Sequence, residues 1–399
     1  MNTCNVAFIY WGRRGGMCRF TLEAAHVASE IDGLNAHFSV STANELYPEF
    51  RSLGDPVFSV DTFHSPFGAI LNTPRVFFLR RKLIAWLTKR NVKSVIVLMP
   101  HIWTPLIAGA VKACGIRYTV VVHDAKPHPG DATGLIYSWL LNDIRAADTV
   151  VALSDWVKSE LVGRGIAPAE RTRALFMPDN IYPSSATERP PRRQPGQPLR
   201  ILFFGRLLRY KGIPLFVEAM EILAARGISV EISVCGEGDL RSVASRLEAL
   251  KAKVINKWLD DDEVGDLLAC HDVAVLTHIE ASQSGIISAA MGAGLPVVTT
   301  PVGGLAEQVQ TRRAGLVSAR ADPQAVADRV GALALDDALY HRIVDQIGFA
   351  SRSFSVKKFL RDLVDLSDGV APSAKARPST AVIAGPSDAV AGACGPLPG

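Results

Sequence analysis

The stretch "FFGRLLRYKG", Phe203–Gly212, joins the end of an apolar β-strand pattern to a short cationic turn. Arg206 follows the strand directly, and Lys211 stands just before Gly212, where a helical pattern begins. A helix N-terminus offers unpaired N–H groups and about half a positive charge, so this strand end suits a phosphate group. A solvated turn whose cations pair with nearby carboxylates is the alternative, and the stretch alone leaves both open.

Length and composition indicate a two-domain globular protein. The chain has 399 residues, of which 48% are hydrophobic and 21% charged, and one core rarely organises so long a chain. No run of about 18 uncharged apolar residues occurs, and the N-terminus lacks a secretory leader pattern. Six scattered cysteines without a CxxC pair suggest neither a zinc site nor a disulfide framework. We therefore expect a cytoplasmic protein, and a net charge of +4 is too small to indicate nucleic acid.

In the first half, short β-branched runs alternate with longer amphipathic segments. This alternation is typical of βαβ units and a parallel sheet. It stops at the proline-rich segment "YPSSATERPPRRQPGQP", which cannot build a packed element. We expect an N-terminal domain at 1–182, a linker at 183–198 and a second domain at 199–366, whose last helix is free to pack back on the first. Residues 367–399 are rich in Ala, Pro, Ser and Gly and are expected to be a disordered tail.

The alternation resumes after the linker, so both halves are expected to be Rossmann-like, doubly wound parallel sheets of the α/β class. Such sheets bind ligands at the carboxyl ends of their strands. Two facing copies therefore predict an interdomain cleft that holds the ligand.

A second group of polar residues lies in "HIEASQSGIISAAMGAGLPVVTTPVGG", His278–Gly304. Glu280 ends a strand, and a Ser-Gln-Ser-Gly loop then opens a helix. The N–H groups of Ser284, Gly285 and Ile286 could cradle a diphosphate, because glycine lets the backbone approach a ligand closely. Glu280 could accept hydrogen bonds from sugar hydroxyls, or it could be an ordinary exposed carboxylate.

Three linked motifs, "GRLLRYKG", "EASQSGIISAAMGAGLPVV" and "TPVGGLAEQV", give the chain a family resemblance. It resembles the retaining glycosyltransferases of family 4 (group 1), which have the GT-B fold. The resemblance covers residues 5–366 and is strongest over 200–310. It implies a nucleotide-diphospho-sugar donor on the second domain, no cofactor, and no obligatory metal. It also implies donor contacts from Gly15, Gly16, Gly205, Arg206, Lys211, Gln283, Ser284, Gly285, Ile286 and Glu307.

The resemblance assigns catalytic roles to four residues. Arg206 and Lys211 would hold the diphosphate, Glu280 would contact the donor sugar, and His123 would lie near the donor sugar and the acceptor hydroxyl. For Glu307, capping of the following helix is the alternative to a place near the nucleotide. His123 could equally be a structural hydrogen-bonder; His101 is a weaker second candidate, and Asp124 could orient its neighbour.

The chain departs from the family where a second glutamate usually holds the ribose hydroxyls. Ser288 or Ala289 falls at that place, and the loop after Glu280 is one residue longer than usual. Gln283 or Ser288 could substitute, so ribose recognition is expected to differ.

Two further segments have competing interpretations. Asp260, Asp261 and Asp262 could form a metal-binding DxD, but carboxylates at a helix start more simply complement the helix dipole. The segment "RVFFLRRKLIAWLTKRNVK", Arg75–Lys93, could be a basic amphipathic helix that docks on anionic lipid, or a helix of the first domain with a solvated basic edge.

The sequence therefore predicts a glycosyltransferase that moves a sugar from a nucleotide-diphospho-sugar to a hydroxyl with retention, in surface polysaccharide or glycolipid assembly. A lipid-linked acceptor and peripheral contact with the inner face of a membrane would follow if the basic helix docks. The alternatives are a nucleotide-sugar epimerase of the same fold and a degenerate, non-catalytic subunit that binds nucleotide-sugars. The epimerase would need no acceptor, and the subunit would bind without turnover.

Overall fold

The computed structural model describes residues 4–53, 57–63, 68, 72–127, 136–184 and 193–369. They form two parallel-sheet α/β domains, as the sequence predicts. Residues 185–192 of the predicted linker and residues 370–399 of the predicted tail lie outside the described residues.

The N-terminal domain contains a sheet in the order β3-β2-β1-β4-β5-β6-β7, in which every pairing is parallel. Its strands are β1 Cys4–Tyr10, β2 Leu34–Ser41, β3 Phe58–Val60, β4 Ser94–Val97, β5 Arg117–Val122, β6 Thr149–Ala152 and β7 Thr172–Ala174. Its helices are α1 Gly16–Ala28, α2 Tyr47–Ser52, α3 Val76–Lys89, α4 Thr104–Ala113, α5 Tyr137–Ala146 and α6 Asp155–Gly163.

The C-terminal domain repeats this arrangement with the order β10-β9-β8-β11-β12-β13. Its strands are β8 Leu199–Phe204, β9 Val230–Cys235, β10 Lys253–Ile255, β11 Val273–Leu276, β12 Val297–Thr299 and β13 Gly315–Val317. Its helices are α7 Ile213–Ala225, α8 Ala244–Ala249, α9 Asp261–Cys270, α10 Gly285–Gly292, α11 Leu305–Arg312, α12 Pro323–Leu335 and α13 Asp337–Ala350, and the chain then continues into α14 Val356–Ser367.

Strand β1 shows why these strands are almost continuously apolar. Val6 and Phe8 belong to the core on one face of the sheet, together with α1 and α14. Ala7 and Ile9 belong to the core on the other face, together with α3 and α4. A parallel strand buried on both faces cannot carry the polar alternation of a half-exposed strand.

Helix α14 leaves the C-terminal domain and packs against the N-terminal sheet. Its Phe359 meets Phe20 of α1 edge to face, with ring centroids 5.6 Å apart. At its end, Ser367 hydrogen-bonds Thr119 of β5 at 3.0 Å between the hydroxyl oxygens. The chain therefore crosses between the domains twice within the described residues, once near residue 180 and once near residue 354.

Both described ends of the predicted linker are held by the C-terminal domain. Ser184 donates a hydrogen bond to Asp266 of α9 at 2.6 Å. Arg193 is buried, donates to the carbonyl oxygens of Leu333 and Ala334, and pairs with Asp337. Proline content alone did not predict this anchoring, because it depends on distant helices.

A buried ion pair joins α11 to the first crossover. Arg312 donates to the carboxylate of Asp179 and to the carbonyl oxygen of Met177, and its guanidinium carbon lies 4.2 Å from the centroid of the Phe354 ring. Asp179 in turn donates its backbone N–H to the Phe354 carbonyl at 2.9 Å. Arg312 thus contacts both segments in which the chain crosses from one domain to the other, and it links these two segments.

We predict that Arg312→Met lowers the free energy of unfolding by about 3–5 kcal/mol, because it leaves Asp179 buried without its charged partner. The measurement is thermal or denaturant unfolding followed by circular dichroism. Arg313→Met is the matched control, since Arg313 is the next residue and is exposed. Equal stability of the two variants would contradict the assignment.

Candidate active site in the interdomain cleft

The candidate site lies at the carboxyl ends of β8 and β11, two paired neighbours in the middle of the C-terminal sheet. The connections from these two neighbouring strands run in opposite directions along the sheet, to β9 and to β12. Ligands of doubly wound sheets bind in the crevice at such a point. Arg206 and Lys211 follow β8, whereas His278 and Glu280 follow β11, so the two predicted motifs meet at this crevice.

Hydrogen bonds fasten the cationic turn, residues 209–212, to the end of β11. The Thr277 hydroxyl donates to the carbonyl oxygens of Gly212 at 2.9 Å and Lys211 at 3.2 Å. The backbone N–H of Ile279 donates to the carbonyl of Tyr210 at 2.9 Å. Gly212 has φ 70°, and a Cβ there would stand 1.9 Å from the Thr277 carbonyl oxygen, so both backbone angle and space require glycine.

Lys211 is the buried cation of this turn, with 8% of its surface exposed. Its Nζ lies 2.9 Å from Nε2 of His278. Burial lowers the pKa of Lys211 to about 7, with the charge of Arg206 as the second cause and Asp124 acting in the opposite direction. The charges of the exposed Arg206 in the same domain and of Asp124 in the N-terminal domain therefore both act on the Lys211 ammonium. The two residues predicted to bind the diphosphate are therefore close enough for the charge of Arg206 to lower the pKa of Lys211.

Glu280 faces the N-terminal domain across the cleft. Its Oε1 lies 3.6 Å from Nζ of Lys126, which follows β5. The Lys126 ammonium also stands 5.8 Å from the centroid of the Trp156 ring. Both charged groups are partly exposed, so the ion pair contributes little stability. It shows that the ends of β5 and β11 come close enough to share one ligand.

Helix α10 begins next to Glu280, but its first turn offers fewer unpaired N–H groups than the sequence predicted. The Ser284 N–H donates to Oε1 of Gln308 at 2.8 Å, and the Ile286 N–H donates to the Ser284 hydroxyl at 3.3 Å. In this conformation, two of the three N–H groups of the predicted cradle already have hydrogen-bond acceptors within the chain. Gly285 remains: it is exposed, and a Cβ there would meet open space.

The residues around the missing family glutamate are buried to different degrees. Ser288 is fully buried, and its carbonyl accepts from the Asn180 N–H at 3.1 Å. Ala289 is buried as well. Gln283 is partly exposed, and its Oε1 makes no hydrogen bond among the described residues. Of the two proposed substitutes for ribose binding, Gln283 is the one with exposed surface, but its Oε1 is itself buried, as is the Ser288 hydroxyl.

Glu307 caps a helix of the other domain. Its carboxylate accepts from the N–H groups of Asp155 at 2.7 Å and Trp156 at 2.9 Å, at the N-terminus of α6. Burial raises the pKa of Glu307, and the two N–H groups act in the opposite direction. The sequence suggested a place near the nucleotide or a cap on the following helix, whereas the structure uses this side chain to bridge the domains.

Two more predicted donor positions are glycines at the end of β1. Gly15 has φ 96°, and its N–H donates to Oε1 of Glu45 at 2.7 Å. Gly16 begins α1 against the first crossover, where an added Cβ would lie 3.2 Å from the Tyr182 hydroxyl. An added Cβ at Gly15 would meet open space, so only the Gly16 side of the turn is closely packed, and Glu45 already accepts from the Gly15 N–H.

Gly205 directly follows β8 and lies beside the first turn of α10. It has φ 116°, and an added Cβ would stand 2.7 Å from Cδ1 of Ile286. Glycine at this position therefore lets the strand end approach α10 closely, which brings the Arg206 side of the crevice next to the helix.

His123 directly follows β5 in the N-terminal domain. It is buried, and its Nε2 lies 2.9 Å from the Leu98 carbonyl oxygen. Burial lowers the pKa of His123, although the bond to Leu98 opposes this. A neutral ring that donates through Nε2 keeps Nδ1 as an acceptor. The next residue, Asp124, is the one whose charge reaches Lys211.

His101 is packed among aromatic side chains. Its ring contacts those of Trp11, Phe63 and Trp103 with centroids 5.4–5.9 Å apart. Burial lowers its pKa to about 3, with Arg13 as the second cause. These contacts favour a structural role for His101.

The Asp-rich segment at the start of α9 forms a capping box. Asp260 accepts from the Glu263 N–H at 2.9 Å, and Glu263 accepts from the Asp260 N–H at 3.3 Å. This arrangement accounts for Asp260 by helix capping. Across the described ranges, no three His, Cys, Asp or Glu side chains come together as a possible metal-ligand set.

The basic segment forms α3, which packs against the N-terminal core through Val76, Leu83 and Leu87. Phe77 and Phe78 are 66% and 72% exposed. In the described part of the chain, no helix has both the length and the apolar character of a membrane span.

Sequence analysis did not assign three residues that the structure brings to the cleft. They are Lys126, which meets Glu280; His278, which meets Lys211; and Trp258, whose ring lies 5.7 Å from the guanidinium carbon of Arg14 in the other domain. His278 stood within a quoted motif, so its position beside Glu280 was the available signal.

Comparison with known proteins shows that residues 198–336 match the family model described as "Glycosyl transferases group 1". The chain is 32% identical over 258 residues to D-inositol 3-phosphate glycosyltransferase of Xylanimonas cellulosilytica, covering 59% of this chain and 60% of the relative. It is 29% identical over 147 residues to the amylovoran biosynthesis glycosyltransferase AmsK of Erwinia amylovora, covering 33% and 35%. The chain thus spans less than two thirds of the length of either relative.

A solved structure of Anabaena HepE in complex with UDP and glucose has a TM-score of 0.66 at 16% identity, covering 92% of this chain and 99% of that one. Sucrose-phosphate synthase of Thermosynechococcus elongatus gives 0.67 at 16% identity, with coverage of 92% and 99%. The described chain therefore has the GT-B fold, and residues 198–336 match the family model of glycosyl transferases group 1.

Proposed function

We propose that this protein is a retaining glycosyltransferase of family 4 that transfers a sugar, such as a hexose, from a nucleotide-diphospho-sugar to a hydroxyl acceptor. The observation that carries the proposal is the buried Lys211 beside Arg206, at the crevice where β8 and β11 part. Glu280 stands at the same crevice, and Asp124 and Lys126 face it from the other domain.

The chemistry of the leaving group explains why cations are expected at this crevice. When the bond between the anomeric carbon and the diphosphate breaks, negative charge gathers on the departing phosphate. Cations already aimed at that place stabilise the transition state more than the ground state. A bound diphosphate would also keep Lys211 protonated, because an opposite charge nearby favours the charged form.

In the proposed reaction, the acceptor oxygen bonds to the anomeric carbon on the face from which the diphosphate leaves. The acceptor proton passes to an oxygen of the leaving phosphate, so no carboxylate nucleophile is required. Glu280 and the acceptor nitrogen of His123 would orient sugar and acceptor hydroxyls. Lys211, Arg206 and the Gly285 N–H would meet the phosphate charge, and the proposal includes no resident metal or cofactor.

The relatives support a donor and a pathway class. The Anabaena HepE structure holds UDP and glucose, and the Erwinia relative takes part in amylovoran biosynthesis. We extend the nucleotide diphosphate and the assembly of a polysaccharide or glycolipid to this chain. A cytoplasmic enzyme that touches the inner face of a membrane through the exposed Phe77 and Phe78 of basic helix α3 would suit a lipid-linked acceptor.

Product analysis tests the proposal against the epimerase and binding-subunit alternatives. The protein is incubated with a panel of nucleotide-sugars, with and without saccharide acceptors, and products are separated by chromatography. The transferase account predicts a glycosylated acceptor and free nucleoside diphosphate that form together. Conversion of the sugar without acceptor would establish an epimerase. Nucleotide binding with no product on any acceptor would establish a binding subunit.

We predict that Lys211→Met and Arg206→Ala each lower kcat by about 10²-fold or more, the usual effect of removing one group that stabilises a developing anion. Affinity for nucleoside diphosphates should fall as well, as measured by calorimetry. Methionine keeps most of the buried volume of Lys211, so we expect the melting temperature of that variant to change little.

Arg209→Ala is the matched control, because Arg209 is an exposed cation of the same turn. We expect it to retain nearly full activity. Wild-type rates in both Lys211→Met and Arg206→Ala would refute the diphosphate assignment.

We further predict that Gly285→Ala weakens nucleoside diphosphate binding about tenfold without loss of stability. The added methyl group meets no protein atom but would occupy the space in front of the helix N-terminus, and alanine favours the helix by up to about 1 kcal/mol. Calorimetry and thermal melting give the two quantities.

Gly348→Ala provides the comparison, since that glycine also faces open space but lies in α13, on another helix. It should change neither binding nor activity. Unaltered affinity in Gly285→Ala would show that the ligand does not approach the start of α10.

A further inference from the structure

His278 and Lys211 form a contact between two buried, titratable side chains. Nζ of Lys211 and Nε2 of His278 are 2.9 Å apart, which is an ordinary hydrogen-bond distance. The exposed fractions are 8% for Lys211 and 2% for His278. Water is therefore largely excluded from the pair, and the two nitrogen atoms lie at hydrogen-bond distance from each other.

His278 is held in place through both its backbone and its ring. Its carbonyl oxygen accepts from the Thr300 hydroxyl at 2.6 Å, which ties the residue to the end of β12. The Tyr210 ring packs against the imidazole at a centroid distance of 5.9 Å, and the Lys211 ammonium lies 5.2 Å from the same Tyr210 ring. The acceptor atom therefore has a defined position relative to the cationic turn.

The chemistry of the two groups sets the direction of the bond. An ammonium has three N–H donors and no lone pair, so a charged Lys211 requires Nε2 to be the acceptor. The ring must then be neutral and carry its proton on Nδ1. One ammonium proton is thereby committed to His278, and two remain for phosphate oxygens.

We propose that His278 is a positioning residue for the diphosphate cation: by accepting a hydrogen bond from Lys211 it fixes the ammonium in the crevice and holds it in its charged form. This inference rests on the proposed function, because it assigns the ligand of Lys211 as the donor diphosphate. His278 itself does not touch the reacting atoms.

The charges around Lys211 determine the sign of the expected pH dependence. Arg206, from the same connection, disfavours the ammonium, whereas Asp124 of the N-terminal domain favours it. Tyr210 and His278 complete the contacts from the cationic turn and from the end of β11. Because a diphosphate prefers the charged lysine, affinity should be highest below the Lys211 pKa of about 7 and fall as the pH rises through it. Removing the acceptor should lower that pKa further.

The test measures affinity for UDP, GDP and ADP by calorimetry between about pH 5.5 and 9, using the full chain. For the diphosphate that binds wild type most tightly, His278→Leu should weaken binding about tenfold at pH 7.5, the usual effect of losing a hydrogen bond to a charged group. Its affinity should also begin to fall at lower pH than in wild type. His278→Gln offers an amide oxygen in place of Nε2 and should restore part of both losses.

His271→Leu controls for loss of packing. His271 precedes β11 at the opposite edge of the sheet, and its Nδ1 bonds the Leu267 carbonyl at 2.6 Å. This variant should keep the wild-type pH profile, even if it melts at a lower temperature. A merely structural role for His278 would make the two leucine variants behave alike.

A measurement on the unaltered protein covers the case in which His278→Leu does not fold. Nitrogen NMR of histidine-labelled protein, with the His278 signal assigned through His278→Gln, should show an unprotonated Nε2 near pH 6.5. A protonated Nε2, or a wild-type pH profile in folded His278→Leu, would overturn this inference and leave the transferase proposal standing. Failure of wild type to bind any of the three diphosphates would overturn both.

Discussion

The burial of Lys211 at the carboxyl ends of β8 and β11 is the constraint on which the rest of the site depends. Taking such a charge out of water costs several kcal/mol unless partners compensate. Here the turn that carries Lys211 is fixed by Thr277 through two backbone carbonyls, and the ammonium meets His278. Burial and the neighbouring Arg206 lower the pKa of Lys211 to about 7, so an anionic ligand next to it would favour the charged form.

The contacts between the two domains also involve charged side chains. Three charged side chains of the C-terminal domain make these contacts. Glu307 caps α6, Arg312 forms an ion pair with Asp179 in the first crossover, and Glu280 forms one with Lys126 after β5. Polar interfaces of this kind within one chain commonly permit relative domain motion. Glu280 lies at the cleft and forms an ion pair with Lys126 across it.

Much of the fold could be predicted from sequence, because strands buried on both faces read as apolar runs and helices as amphipathic segments. The apolar runs "NVAFIYW", "SVIVLMP", "YTVVVHD", "DTVVALS", "RILFFG", "SVEISVCG", "KVIN", "DVAVLT" and "PVVTT" predict strands, and they overlap β1, β4, β5, β6, β8, β9, β10, β11 and β12. Strand β2, "LNAHFSVS", mixes polar residues with apolar ones and was missed, as were the three-residue strands β3, β7 and β13. Short strands are specified by their neighbours in the sheet rather than by their own pattern.

The site was predictable to the level of which strand ends meet, and less so in its hydrogen bonds. Arg206, Lys211, Gly212 and Glu280 could be placed by motif, because the topology brings their strands together. The partners of Ser284, Glu307 and His278 could not, since Gln308, α6 and Lys211 lie 24 to 152 residues away along the chain. Such partners are chosen by packing in three dimensions, which a pattern of residue types does not contain.

The central claim is that the crevice between β8 and β11 receives the diphosphate of a nucleotide donor. A crystal structure of the protein with the nucleoside diphosphate that binds it most tightly tests this most directly. The account predicts phosphate oxygens within hydrogen-bond distance of Nζ of Lys211 and of the Arg206 guanidinium, with Gly285 facing the ligand. A nucleotide bound elsewhere, with both cations still turned away from it, would contradict the account.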